Sequence, residues 1–259
     1  GENNLAAADN YKNFGQILKF NDDELALKYT KKALEIEKKY PKTYFIGGTY
    51  HGLGSIEESR KNFKKAKEYY EKAEEIFRNS EVKDSWEMAE VLKDIGYLYA
   101  IEGEFEASIK EYKKALSIFR KKYNEDNQKI STLKYLIAYS KAKLNKYSES
   151  NVLFEEAVVN DLIYLQKEIP LLNTKDRQNF YNSLRSGDLL FDVAEKNYLT
   201  TKTALLRRIN NQGLLEEIEK RQINLRLINP ETKTIRNDLK AVNAQISNVK
   251  ISKKEKEKF

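Results

Sequence analysis

Apolar and small residues recur three and four positions apart along most of the chain, with Lys, Glu and Asp between them. This pattern predicts amphipathic helices rather than strands. Four such stretches align with one another: ELALKYTKKALEI, NFKKAKEYYEKAEEIF, EFEASIKEYKKALSIF and KYSESNVLFEEAVV. Each has an alanine at the same place, Ala33, Ala73, Ala115 and Ala157, at separations of 40, 42 and 42. Seven positions earlier stand Ala26, Ala66, Ser108 and Ser150; three earlier stand Thr30, Tyr70, Tyr112 and Phe154. Seven positions make two helical turns, so the small residues of each stretch share a face. The preceding stretches repeat as well. Gly15, Gly54, Gly96 and Ala138 precede their alanines by the same interval, one position shorter in the first unit. Each directly follows an apolar residue, Phe14, Leu53, Ile95 or Ile137. Each unit therefore predicts two helices whose backbones approach closely at small residues, with aromatics filling the space toward the next unit.

Composition narrows the class further. Of 259 residues only 10 are Gly and 3 Pro, too little turn chemistry for many β-hairpins, so the expectation is all-α. No apolar run reaches the roughly 18 residues of a membrane span. The segment GENNLAAADNYKN lacks the basic and apolar regions of a signal peptide, which makes a cytoplasmic location the expectation. Gly rather than Met at position 1 suggests a piece of a longer protein.

At the repeated positions the chain resembles the tetratricopeptide repeat family over roughly residues 8–160. The longer spacing, against about 34 residues for the usual unit, is similar to the kinesin-light-chain type with extended helices. The resemblance implies a right-handed superhelix of about four helical hairpins, residues 1–160, whose first helices line a concave face. Three residues depart from the pattern: Glu57, Lys134 and Lys141 stand where an apolar side chain is expected.

Within each first helix, the positions three before and one after the Gly or Ala define a row: Lys12 and Gln16, His51 and Ser55, Lys93 and Tyr97, Tyr135 and Tyr139. Spaced i, i+4, each pair projects together, and the row passes from basic and polar to aromatic. A Tyr exposed in a groove supplies contact area at low entropy cost, which points to a protein or peptide partner. The same tyrosines also suit half-buried packing against the next hairpin, and both readings stand at this point. The chaperone co-factor members of the family hold a C-terminal carboxylate with a Lys-Asn-Asn-Lys-Arg clamp. Gln16 and Gly52 occupy the places of its asparagines, so no such capture is expected.

Residues 161–259 read differently. Segments DLIYLQKEI, TKDRQNFYNSL and GDLLFDVAEKNY predict short helices. A long helix from about residue 201 then meets Asn229-Pro230. Beyond it, Ile235, Leu239, Val242, Ile246 and Val249 form a coiled-coil seam, so that 201–228 and 231–252 suit an antiparallel hairpin. The segment 201–259 carries 14 basic and 7 acidic side chains against 33 and 33 before it, which places the whole net charge of +7 there. Around Leu205, Leu206, Arg207, Gln212, Gly213, Leu214 and Leu215 the chain is similar to the helical region ahead of CHAT domains, caspase-like proteases that follow such repeat arrays in bacteria. That resemblance implies a non-catalytic front part, with a downstream domain as a further partner. Arg207, Arg208, Arg221 and Arg226 suit a solvated helix face, with nucleic acid as the alternative partner.

Candidate chemistry is sparse. With no Cys and one His, thiolate sites and multi-His zinc sites have no ligands, and a Ser-His-Asp arrangement would rest on His51 alone. No GxxxxGK[ST], GxGxxG or EF-hand pattern occurs; GGTYHGLG at 47–54 lacks the strand and the Lys of a phosphate loop. No cofactor, metal or catalytic residue is expected. The functional expectation is a protein-binding scaffold, the alternative a nucleic-acid-associated helical protein acting through its basic C-terminal hairpin.

Overall fold

The small-residue register produces helical hairpins. In the computed structural model, residues 4–40, 44–168, 172, 176, 188–194, 197 and 200–208 are described. They form α1 (Leu5–Leu18), α2 (Asp23–Glu37), α3 (Tyr44–Ser59), α4 (Phe63–Arg78), α5 (Trp86–Ile101), α6 (Phe105–Arg120), α7 (Gln128–Lys143), α8 (Tyr147–Glu168) and α9 (Asp188–Ala194). No strand occurs among the described residues. By contacts the chain divides into two units, Gly1–Leu206 and Arg207–Phe259. Within the first, α1 pairs with α2, α3 with α4, α5 with α6 and α7 with α8, each hairpin packs on the next, and α9 lies on α7.

The crossing of each hairpin is set by its smallest residue. A Cβ built on Gly15, Gly54 or Gly96 would stand 3.2 Å from the carbonyl of Ala26, Ala66 or Ser108, the same distance in three units. At Gly54 and Gly96 the rings of Tyr70 and Tyr112 lie over the bare backbone, 2.5 and 2.7 Å from such a Cβ. Ala33, Ala73, Ala115, Ala157 and Ala138 are wholly buried. In the fourth unit Ala138 replaces the glycine and the Ser150 hydroxyl donates to its carbonyl, 2.7 Å. One continuous core then runs through the middle hairpins, from Ala66, Tyr70 and Ala73 to Ile130, Leu133 and Ile137.

Turns repeat as faithfully as helices. Lys61, Gly103 and Asn145, one repeat apart in the sequence, all take positive φ, at 61°, 81° and 60°. After each, a backbone N–H returns to the helix just ended: Asn62 to Glu57, Glu104 to Tyr99, Lys146 to Lys141, at 2.8–2.9 Å. This is the glycine-type helix stop, executed once with Gly and twice without it. Side-chain caps open four helices: Asn4 on Ala7, Asp22 on Leu25, Ser85 on Met88 and Asn127 on Lys129.

Two details differ from the sequence expectations, whereas the glycine-rich stretch GGTYHGLG lies within α3, in keeping with the placement of Gly54 on a first helix. The segment after residue 160 opens no new helix, because α8 continues to Glu168; the expected domain division at 160 falls inside it. Arg207 is buried rather than solvated, whereas Arg208 is exposed. Arg221, Arg226, the segment at 177–184, the seam at 235–249 and the hairpin 201–228 against 231–252 lie wholly or largely outside the described residues.

The three polar departures from the repeat pattern each have a partner. Lys134 is buried, with Nζ 2.9 Å from Glu125 and 3.0 Å from Glu156. Lys141 pairs with Glu149. Buried Glu57 accepts from Asn62 Nδ2 at 3.2 Å, closing the turn after α3. A buried charge is tolerated when paired or hydrogen-bonded, so these replacements keep the register.

Candidate functional site

Polar side chains tie the four first helices together along one face. The Lys19 ammonium, at the end of α1, donates to Ser55 Oγ on α3 at 2.9 Å. His51 Nε2 on α3 lies 2.7 Å from Asp94 Oδ2 on α5. Lys129 on α7 reaches Glu90 on α5, and Lys93 lies 2.5 Å from Glu90 and 3.3 Å from Asp94. The centre of this face is a band of alternating charge on α3 and α5.

The eight residues read from the sequence distribute unevenly over it. Gln16 is exposed, and Ser55, His51 and Lys93 are half-buried within the band just described. Tyr97, at 41% exposure, is the most open aromatic of the eight. Tyr139 is half-buried, with the Lys143 ammonium 4.9 Å from its ring centre. Lys12 is turned to the inside of its own hairpin. Its ammonium is 2.8 Å from Asp9 and 3.1 Å from buried Glu37, which in turn accepts from Thr49 Oγ1 at 2.5 Å. Burial pulls the Lys12 ammonium down, but the two carboxylates more than offset it, so it titrates above the ordinary lysine range.

Tyr135 is a correction. It is wholly buried; its hydroxyl donates to Asp161 at 2.9 Å and its ring meets Phe154. The cause is the unexpected length of α8, which carries Asp161 over α7 and supplies both cover and acceptor. Tyr135 is a core residue, not part of an open row.

Two residues of the face escaped the sequence reading: Glu58 and Asp94. Asp94 takes the His51 and Lys93 contacts. Burial pushes its carboxyl up, but the His51 hydrogen bond and the Lys93 charge outweigh this, and it lies below the usual carboxylate range. Glu58 accepts from the Tyr70 hydroxyl at 2.8 Å; burial drives its carboxyl above the usual range. Tyr112 is wholly buried, and its hydroxyl has no hydrogen-bond partner among the described residues. The period could have revealed one of them: Glu58 continues the His51, Ser55 face by one turn.

Chemically, the face offers charged and amphipathic contacts. His51 hydrogen-bonds Asp94, and Ser55 Oγ accepts from Lys19, so the His–Asp pair holds no hydroxyl nucleophile among the described residues. Among the described residues, no group of three or more His, Cys, Asp or Glu could hold a metal ion. No described helix is long and apolar enough to cross a membrane.

The sequence matches the tetratricopeptide repeat family over residues 47–80 and 89–122, two windows that begin one repeat period apart and fall on α3–α4 and α5–α6. These segments are tetratricopeptide repeats. Solved structures agree in fold. BtubC (BKLC) from P. vanneervenii is 14% identical, with a TM-score of 0.57 over 87% of this chain and 92% of that one. A kinesin-light-chain-type protein of Podosopora anserina, made of nearly identical TPR-like repeats, is 12% identical, with a TM-score of 0.56 over 85% of this chain and 97% of that one. A Rap protein in complex with Competence and Sporulation Factor is 16% identical, with a TM-score of 0.54 over 86% of this chain and 64% of that one. No curated protein matches the sequence. At these identities the likeness is one of architecture, and it includes the long-repeat, kinesin-light-chain form of the tetratricopeptide fold.

Proposed function

We propose that the repeat array is an interaction scaffold that holds a protein or peptide segment along the face of its first helices, which is the concave groove of the tetratricopeptide fold. The observation that carries this reading is the character of that face. Half-buried ion pairs stand beside Tyr97, which is open to solvent and free to be covered. A Rap protein, alike in architecture, is known in complex with Competence and Sporulation Factor, so a solenoid of this type can hold a partner. On the same reading the chain is the non-catalytic recognition part of a longer protein in which a CHAT-type domain follows the array. The resemblance read at Leu205, Leu206, Arg207, Gln212, Gly213, Leu214 and Leu215 supports that arrangement, and the coding sequence beyond Phe259 tests it.

The test of the scaffold is the double variant Tyr97→Ala, Tyr139→Ala. Losing both aromatics should weaken a groove ligand by about 2 kcal/mol or more. Neither residue is a fully buried core side chain, so thermal unfolding should shift little. Calorimetry on a segment selected from a displayed peptide library would read the loss. Undiminished affinity would move the binding surface away from the first helices.

A further inference from the structure

Large apolar side chains are left open unevenly along the array. Phe14, Ile17 and Phe20 stand on the first hairpin, and Val152, Val159 and Ile163 on the last. In the hairpins between them, α3–α4 and α5–α6, the exposed ones among the described residues are Trp86 at 44%, Tyr97 at 41% and Ile101 at 42%. All three lie on α5, and they share a stripe. Trp86, Glu90, Lys93, Tyr97 and Ile101 follow one another at four, three, four and four positions, which keeps them on one side of the helix. Lys93 and Tyr97 belong to the face of the first helices, so Trp86 and Ile101 carry that face to the two ends of α5. Lys129 ties the first end to the charged band: its ammonium reaches Glu90 and stands 5.7 Å from the Trp86 ring centre. The middle of the stripe is different in kind. Glu90 holds Lys93 and Lys129, and Asp94 holds His51 and Lys93, so its charges are already matched.

Two apolar ends thus bracket a polar middle. At about 1.5 Å per residue, Tyr97 lies ~16 Å and Ile101 ~22 Å along the axis from Trp86. An extended chain rises about 3.3 Å per residue and turns alternate side chains to one side, so residues six apart point the same way at ~20 Å. We infer that the bound segment lies extended along α5 with two apolar anchors six residues apart, one over Trp86 and the other between Tyr97 and Ile101. An extended segment leaves its backbone N–H and C=O groups unpaired, and the band supplies donors and acceptors for them. A helical segment has paired most of these groups within itself and has no such use for the band. A charged residue between the anchors would have to break a matched pair, so those positions are uncharged. The inference rests on the groove reading above and gives its ligand a pattern.

The experiment pans a displayed library of random dodecapeptides against the full chain, then measures one selected synthetic peptide. Selected peptides should carry apolar residues six apart with no charge between them. Trp86 is the one tryptophan of the chain, so its emission reports the site without any substitution. Bound peptide should shift that emission to shorter wavelength and protect it from acrylamide quenching. In calorimetry, Trp86→Ala and Ile101→Ala should each weaken binding about tenfold or more. Both side chains are exposed, so thermal unfolding should stay near that of the parent. Alanine at one peptide anchor should cost nothing more in Trp86→Ala but its full factor in Ile101→Ala, and alanine at the other anchor should show the reverse. Binders that are sensitive to Tyr97→Ala with Tyr139→Ala would overturn the two-anchor pattern, and leave groove binding intact, if they left the Trp86 emission unchanged, spaced their anchors otherwise or coupled both anchors to one end of α5. A library that yields no binder, or binders insensitive to that double variant, would overturn the groove reading and this inference with it.

Discussion

At the scale of single residues, period identifies a face but not what covers it. Tyr97 and Tyr135 occupy matched helices and read alike, yet one is open and the other is core. The difference comes from Asp161, 26 residues from Tyr135 and past the point where the repeat pattern ends. Lys134 gives the converse case: a flaw in the pattern that the structure resolves with two carboxylates. One of these, Glu125, has a consequence for acid stability. Hydrogen bonding from Arg120, and then from Lys134, holds its carboxyl down to about 2, against some burial that opposes this. A carboxyl depressed in the folded state stabilises above its unfolded value, near about 4.3, and that stabilisation fades as pH falls toward about 2. Glu125→Gln should therefore lower stability at pH 7 and flatten the decline between pH 4.5 and 2.5. Urea unfolding of both proteins at those three pH values checks this; parallel acid limbs would mean that Glu125 carries none of the slope. Half of the Glu125 side chain is exposed, so added salt should shrink the difference.

At the scale of elements, α3 is the instructive case, because it holds four glycines within eight positions and is a helix nonetheless. Three of the four are used. Gly47 lies under Phe77, Gly52 would place a Cβ 3.2 Å from the Gln16 amide, and Gly54 lies under Tyr70. Gly48 faces open space and contributes only backbone entropy to the unfolded state. Gly48→Ala should thus stabilise by about 0.5–1 kcal/mol. Gly54→Ala should destabilise by about 1–3 kcal/mol, since a methyl 2.5 Å from a ring and 3.2 Å from a carbonyl forces the hairpin apart. Opposite shifts in thermal midpoint are the expected readout, and equal shifts would contradict this account of the crossing. The sequence carried the crossing itself in the recurrence of Gly15, Gly54 and Gly96. It could not carry the turn after α3, where Lys61 adopts the conformation that Gly103 adopts in the next unit. The backbone N–H of Asn62 and the side chain of Glu57 hold that turn, and neither has a compositional signature.

At the scale of the whole array, each hairpin is covered by its neighbours, so a position's energetic weight depends on its place in the stack rather than on its identity. Ile17, Ile56 and Leu98 occupy one register position, two after Gly15, Gly54 and Gly96. Ile56 and Leu98 are buried, at 0% and 1% exposure, because the hairpin before them packs on that side; Ile17, on the first helix, is 67% exposed. Phe14 and Phe20, on and just after the same helix, are open as well. The four-unit register was legible in the sequence, and with it the chemical equivalence of these three residues. Their inequivalence was not, since it arises from stacking order alone. Truncating a buried Ile or Leu to Ala forfeits its transfer energy and leaves a cavity, at a cost of about 2–5 kcal/mol. Truncating an exposed one loses neither. Ile56→Ala and Leu98→Ala should therefore each cost about 2–5 kcal/mol in urea unfolding, while Ile17→Ala costs under about 1 kcal/mol. The three midpoints, measured at two protein concentrations, decide the matter. A large cost at Ile17 that grows with concentration would mean that a second copy covers α1 in solution. A large cost independent of concentration would mean that another part of the same chain does, and the open face of the first helix would then have to be withdrawn.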